Sequence, residues 1–149
     1  MSNTAVLNKI LNVREQEKKH AQKEQINARN IFEKVATELY TELKTKEEAE
    51  STLENYMEAS SAIDKIKDQS IYIQLLNQKI ATLQERVQKA RQEMEYKQEA
   101  LTEAHVEVKK IEKMIEQREK EKIAQEQKIE MMTMDEISIR QFNTQAQNR

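Results

Sequence analysis

The stretch Ile73-Gln74-Leu75-Leu76-Asn77-Gln78-Lys79-Ile80-Ala81-Thr82-Leu83-Gln84-Glu85-Arg86-Val87 carries apolar residues at alternating steps of three and four: Ile73, Leu76, Ile80, Leu83 and Val87. On an α-helix those steps return to one side, so the stretch presents a single apolar stripe to a partner helix. Followed outward from Ala62 to Ile139, the same register visits 23 positions, of which 17 are apolar, and it never slips. A seven-residue period kept over that distance implies a left-handed supercoil.

A second register covers the N-terminal third. It visits Leu7, Leu11, Arg14, Lys18, Ala21, Gln25, Ala28, Phe32, Val35, Leu39, Glu42, Lys46, Ala49, Leu53 and Tyr56, and ten of those 15 are apolar. Its polar gaps predict a looser seam near the N-terminus. Between the registers, Ser60-Ser61 is the weakest helical stretch. Ser61 followed by Asp64 reads as a helix start, with Asp68-Gln69-Ser70 as a second candidate. The expectation is an all-α chain of two long helices forming an antiparallel coiled-coil hairpin, a single domain over 1–149. One helix spans about 4–58, the reversal falls within 58–70, the other helix spans about 70–142, and 143–149 frays. The longer second helix must overhang, or meet the N-terminus at the open end. The alternative is one unbroken helix pairing with a second copy as a homodimeric tether.

Composition narrows the classes further. In 149 residues there is no Gly, Pro, Cys or Trp, and 35% are charged. Tight turns draw on Gly and Pro, so hairpin-linked strands and phosphate-binding loops are excluded. Without Cys there are no disulfides, thiolate metal sites or thiol catalysis. A net charge of −2 with both signs interspersed argues against capture of nucleic acid or an anionic membrane. No apolar run approaches a bilayer span, and no secretory signal opens the chain, so the sequence reads as cytosolic.

Most surface features read as solvated helix. Glu15/Lys19, Glu42/Lys46, Glu85/Lys89, Glu93/Lys97 and Glu116/Lys120 stand at i,i+4, each pair worth about 0.2–0.5 kcal/mol. Charge is polarised along the first helix: residues 9–34 hold seven basic and four acidic side chains, residues 38–68 four and nine. His20 and His105 lie on different helices, and His105-Val106-Glu107 has no companion ligands for a metal. With no pocket to desolvate a reacting group, the chain reads as a non-enzyme without cofactors.

Two places hold more apolar residues than a seam can bury. Around the start of the second helix, Ile71 and Leu75 point outward and Tyr72 sits on the flank. Near the C-terminus, Met131, Met134, Ile137 and Phe142 fall outside the stripe. Each excess fits a partner-binding patch; each also fits cover from within, by the returning chain or a second copy at the first and by Val6, Ile10 and Val13 at the second.

Three segments resemble the FliJ family of the bacterial flagellar type III export apparatus: Val6-Leu7-Asn8-Lys9-Ile10-Leu11-Asn12-Val13-Arg14-Glu15, Tyr72-Ile73-Gln74-Leu75-Leu76 running on to Lys79-Ile80, and Met134-Asp135-Glu136-Ile137-Ser138-Ile139-Arg140. The aromatic near the start that the family generally carries is missing here. The resemblance implies an antiparallel coiled coil similar to the stalk of rotary ATPases. It implies that Arg14, Met134, Asp135 and Arg140 bind the export ATPase ring. It also implies that Tyr72 and Leu76 bind the cytoplasmic part of the membrane export gate, a surface to which exposure adds Leu75 and Tyr40. Further implications are escort of substrate chaperones, a monomeric chain, and a cytoplasmic location peripheral to the membrane through the export apparatus.

Overall fold

The computed structural model describes residues 3–148. Two helices account for nearly all of them, α1 (Asn3–Glu58) and α2 (Ile63–Gln147), and they form an antiparallel hairpin. The unbroken-helix alternative is thereby excluded.

The reversal occupies 59–62 and is built without glycine. Ser61 N–H donates to the Tyr56 carbonyl (3.0 Å) and Ser60 N–H to that of Met57 (3.3 Å), with Ser60 at φ 51°. These are the two bonds of a Schellman cap, which needs a left-handed residue at the position Ser60 fills. The Ala62 carbonyl then accepts from Lys65 and Ile66, so Ala62, not Ser61, is the capping residue of α2. Asp64 sits in the first turn, where its charge favours the helix dipole. Asp68-Gln69-Ser70 lies inside α2, which starts at Ile63 rather than about 70. At the far end the helix continues to Gln147, and Asn148 N–H still donates to Thr144, so 143–147 is helical where fraying was expected.

The chain groups into two compact units. The unit Lys19–Glu103 holds the tip of the hairpin. Its seam buries Ala28, Val35 and Ala49 of α1 against Leu76, Ile80, Leu83 and Val87 of α2. Polar seam positions find partners across it: Gln69 Nε2 donates to the Ala49 carbonyl (2.9 Å), Lys79 meets Glu42 (2.8 Å) and Lys97 meets Glu24 (3.3 Å). Arg86 reaches Glu38 at 3.5 Å, and Arg91 lies over the Phe32 ring. Apolar side chains contribute about 1.5–3 kcal/mol each when fully buried, while exposed ion pairs give about 0–1 kcal/mol. The seam therefore holds the helices together and the ion pairs tune their register.

In the other unit, residues 3–18 of α1 accompany the C-terminal part of α2. Leu7 and Val108 are buried, and Leu11, Arg14, Ala104, Ile111 and Ile115 are half-buried at the same heptad positions. From Glu116 onward every described residue of α2 is exposed. The stretch 116–147 is an uncovered arm about 48 Å long. The expected overhang is present, and Val6 and Val13 are themselves exposed rather than covering Met131 or Met134.

Candidate interaction surfaces

Heptad positions settle which exposed side chains share a flank. The Glu38–Arg86 pair crosses on one side of the seam, and the Arg91–Phe32 contact on the other. Tyr72 and Leu75 stand at heptad positions on the Glu38–Arg86 side, and both are exposed (45% and 58%). Lys79 and Arg86 follow on the same flank one and two heptads further on. Tyr40 is also exposed but stands on the opposite flank, so it does not join Tyr72 and Leu75 in one patch.

Leu76 is buried at 6% exposure. Its side chain belongs to the seam and anchors the turn of helix that displays Tyr72 and Leu75. Its place in the heptad register agrees with this burial.

A shallow groove beside this patch is lined by Thr37, Glu38, Thr41, Lys79, Thr82 and Arg86. Thr37, Thr41 and Thr82 each donate their hydroxyl to the carbonyl four residues earlier, which satisfies them within their own helix. The Glu42 carboxylate holds the Lys79 ammonium above its ordinary pKa, through their hydrogen bond first and its charge second. Glu42 consequently turns to the other helix rather than to Lys46, which meets Glu50 instead. Glu93/Lys97 and Glu116/Lys120 form as their spacing suggests.

The second surface is the arm. Within 129–142, Ile129, Met131, Met132, Met134, Ile137, Ile139 and Phe142 are all exposed. At about 100° per residue they fall on every side of the helix, with no gap wider than about 80°. The preceding stretch, 116–128, is mainly charged and offers Ile123 as its one large apolar residue. Asp135 and Arg140 are exposed beside Met134. Arg14 stands apart: it occupies a seam position in α1, and its guanidinium donates to both carboxylate oxygens of Glu17 (3.2 and 3.0 Å). Its Nε is enclosed without a partner. Sequence reasoning grouped Arg14 with the arm; the structure keeps it beside α2 while the arm runs on beyond Ile115.

Among the described residues no group of His, Cys, Asp and Glu is placed to hold a metal ion, and no helix is long and apolar enough to cross a membrane. His20 approaches Glu24 at 3.9 Å and His105 is exposed.

Comparison with known proteins bears on the same architecture. The family described as flagellar FliJ protein matches residues 3–147. A curated relative, the flagellar FliJ protein of Bacillus subtilis (strain 168), is 34% identical over 137 residues, covering 92% of this chain and 93% of that protein. No solved structure matches. With the match running from the first turn of α1 to the last turn of α2, the chain belongs to the FliJ family of flagellar proteins.

Proposed function

We propose that this chain is a non-enzymatic stalk of the flagellar protein export apparatus, engaging the export ATPase ring through its arm and the membrane export gate through the hairpin. The observation that carries this reading is the arm itself. A helix with large apolar residues on every side is stable in water only at a cost, and a partner that surrounds it removes that cost from all sides at once. A ring does this; a flat surface covers one face and leaves the others wet. Met134, Asp135 and Arg140 are the arm residues assigned to the ATPase, with Arg14 positioning the α1 end of the hairpin beside it.

The gate surface is assigned to Tyr72 and Leu75, with Leu76 holding that turn from beneath and Tyr40 forming a separate contact on the other flank. Substrate chaperones use the same adaptable apolar surfaces, since flexible Met and aliphatic groups re-pack against varied partners. The chain works as one copy per ring, in the cytoplasm and peripheral to the membrane through its partners.

The test is ATP hydrolysis and ring assembly of the cognate flagellar export ATPase with and without this chain. Stimulation that saturates near one chain per ring supports the stalk reading. No change in either quantity overturns it.

A further inference from the structure

We infer that the arm is also a self-association surface: in the free chain, two arms pair antiparallel over 119–142, the stretch that α1 leaves uncovered. This stands on the arm's own sequence and exposure and is independent of any role at a ring.

The heptad stripe that packs α2 on α1 does not stop where α1 does. It continues in phase through Arg118, Lys122, Gln125, Ile129, Met132, Glu136 and Ile139, all exposed. An in-phase stripe with no second helix on it is half of a coiled coil. The same stripe is already occupied up to Ile115 within the chain, so the pairing ends at 142, where the second copy's polar residues 143–147 leave the stripe beside the start of α1.

Orientation follows from charge. A parallel pair stacks Lys122 on Lys122 and Glu136 on Glu136 inside the seam, and burying like charges together is strongly unfavourable. An antiparallel pair avoids this. The hairpin supplies the geometry for one flank, because Glu38 and Arg86 show which residues just before a seam position meet across antiparallel helices; the residues just after a seam position meet in the same way on the other flank.

Transferred to two arms, one register sets Ile129 against Met132 of the second copy at the centre, twice by symmetry. It sets Lys122 against Ile139 and Gln125 against Glu136 in the outer layers. Its flanks then match Glu119 with Arg140 and Lys128 with Asp135 of the second copy, each pair also occurring twice. Sliding by one heptad towards the hairpins brings Glu126 onto Glu126 and Lys128 onto Lys128. Sliding the other way brings Asp135 onto Asp135. Charge selects the central register.

Only part of this seam is apolar, so the pair is weak and reversible. That suits a surface competing with another partner: pairing covers one stripe of Ile129, Met132 and Ile139 until something that surrounds the arm displaces it.

The test is sedimentation velocity on the full chain over a concentration series, with Glu119→Arg, Arg140→Glu and the double charge swap. The expected result is a rise from 17.6 kDa towards twice that mass with concentration. Each single reversal weakens association about tenfold, because each turns two attractive pairs repulsive. The double swap restores it, and so does mixing the two single variants. All four proteins keep the same helicity by circular dichroism, since these positions are exposed. A monomer at every concentration overturns the inference and leaves the arm to a different partner. Association that ignores the charge reversals overturns the register and orientation.

Discussion

Lys79 Nζ lies 2.8 Å from Oε1 of Glu42, and the two residues sit on different helices. Glu42 occupies a seam position with its side chain only 18% exposed, while the Lys79 side chain remains well exposed. The pair joins α1 to α2, but its two ends differ in how much water they have lost. Replacing Glu42 with Leu fills the seam with apolar volume and lets the Lys79 ammonium return to water. Glu42→Leu should therefore stabilise the hairpin by about 1 kcal/mol, because the seam gains an aliphatic group and no charge is stranded. A thermal melt followed by circular dichroism reads this as a rise of about 2–4 °C. A fall in melting temperature would show that the pair contributes more than its geometry implies.

The same pair sets an alkaline dependence. The folded pKa of Lys79 lies above its ordinary value of 10.5, so the folded chain binds the proton more tightly than the unfolded chain. Its contribution is complete below 10.5 and is lost as pH rises through the folded pKa. Comparing wild type with Lys79→Met between pH 9 and 12 should show a stability loss in wild type that the variant lacks. Parallel curves would mean that the interaction is absent in solution.

Ser60 carries the chain's one left-handed residue among those described. A residue with a Cβ pays about 1–2 kcal/mol for that conformation, partly offset by the larger unfolded-state entropy of Gly. Ser60→Gly should stabilise by about 0.5–1 kcal/mol, and Ser60→Val should destabilise by about 1 kcal/mol or more. Denaturant midpoints measure both. If the two variants behave alike, the cap is built differently.

Seam depth gives a graded series. Leu83 is 4% exposed, Ile111 is half-buried and Leu75 is exposed. Asp at Leu83 should cost several kcal/mol, on the order of 3–5, through burial of an unpaired charge. Asp at Ile111 should cost less, and Asp at Leu75 about 0.5 kcal/mol or nothing. Urea unfolding monitors the order, and an inverted order would place the stripe on the wrong face.

Depth also separates binding from folding near the tip. Tyr72→Ala with Leu75→Ala should leave the melting temperature unchanged while weakening gate binding and motility. Leu76→Ala should instead destabilise by about 2–3 kcal/mol, through a lost buried side chain. Normal swimming of the double variant would show that the tip patch is not a functional surface.

Much of this was legible because a heptad pattern is a statement about burial. From Ile66 to Ile115, each position on the α2 stripe is buried or half-buried, and the α1 register holds from Leu7 to Tyr56. The reversal was legible only as a zone. Its decisive feature is a positive φ at Ser60, a residue type that seldom adopts one, so no glycine marked it and the cap was assigned to Ser61 instead of Ala62. The start of α2 was set late for the same reason, since Ser70 advertises a cap it does not make. For the surfaces, composition showed the excess of apolar residues at the tip and in the arm. Grouping them required the flanks: Tyr40 and Tyr72 look alike in sequence yet stand on opposite sides. Leu76 shows the converse: its place in the stripe reads directly as burial, and it is buried.

In the stalk reading proposed above, the arm and not the flank of the hairpin meets the export ATPase. Photo-crosslinking residues placed singly along α2, with the cognate ATPase and nucleotide present, separate the two surfaces. Cross-links to the ATPase are expected from Ile129, Met134 and Ile139, which face different sides of the arm, and none from the exposed hairpin positions Gln74 and Glu95. Cross-links from Gln74 and Glu95 with none from the arm would contradict that reading.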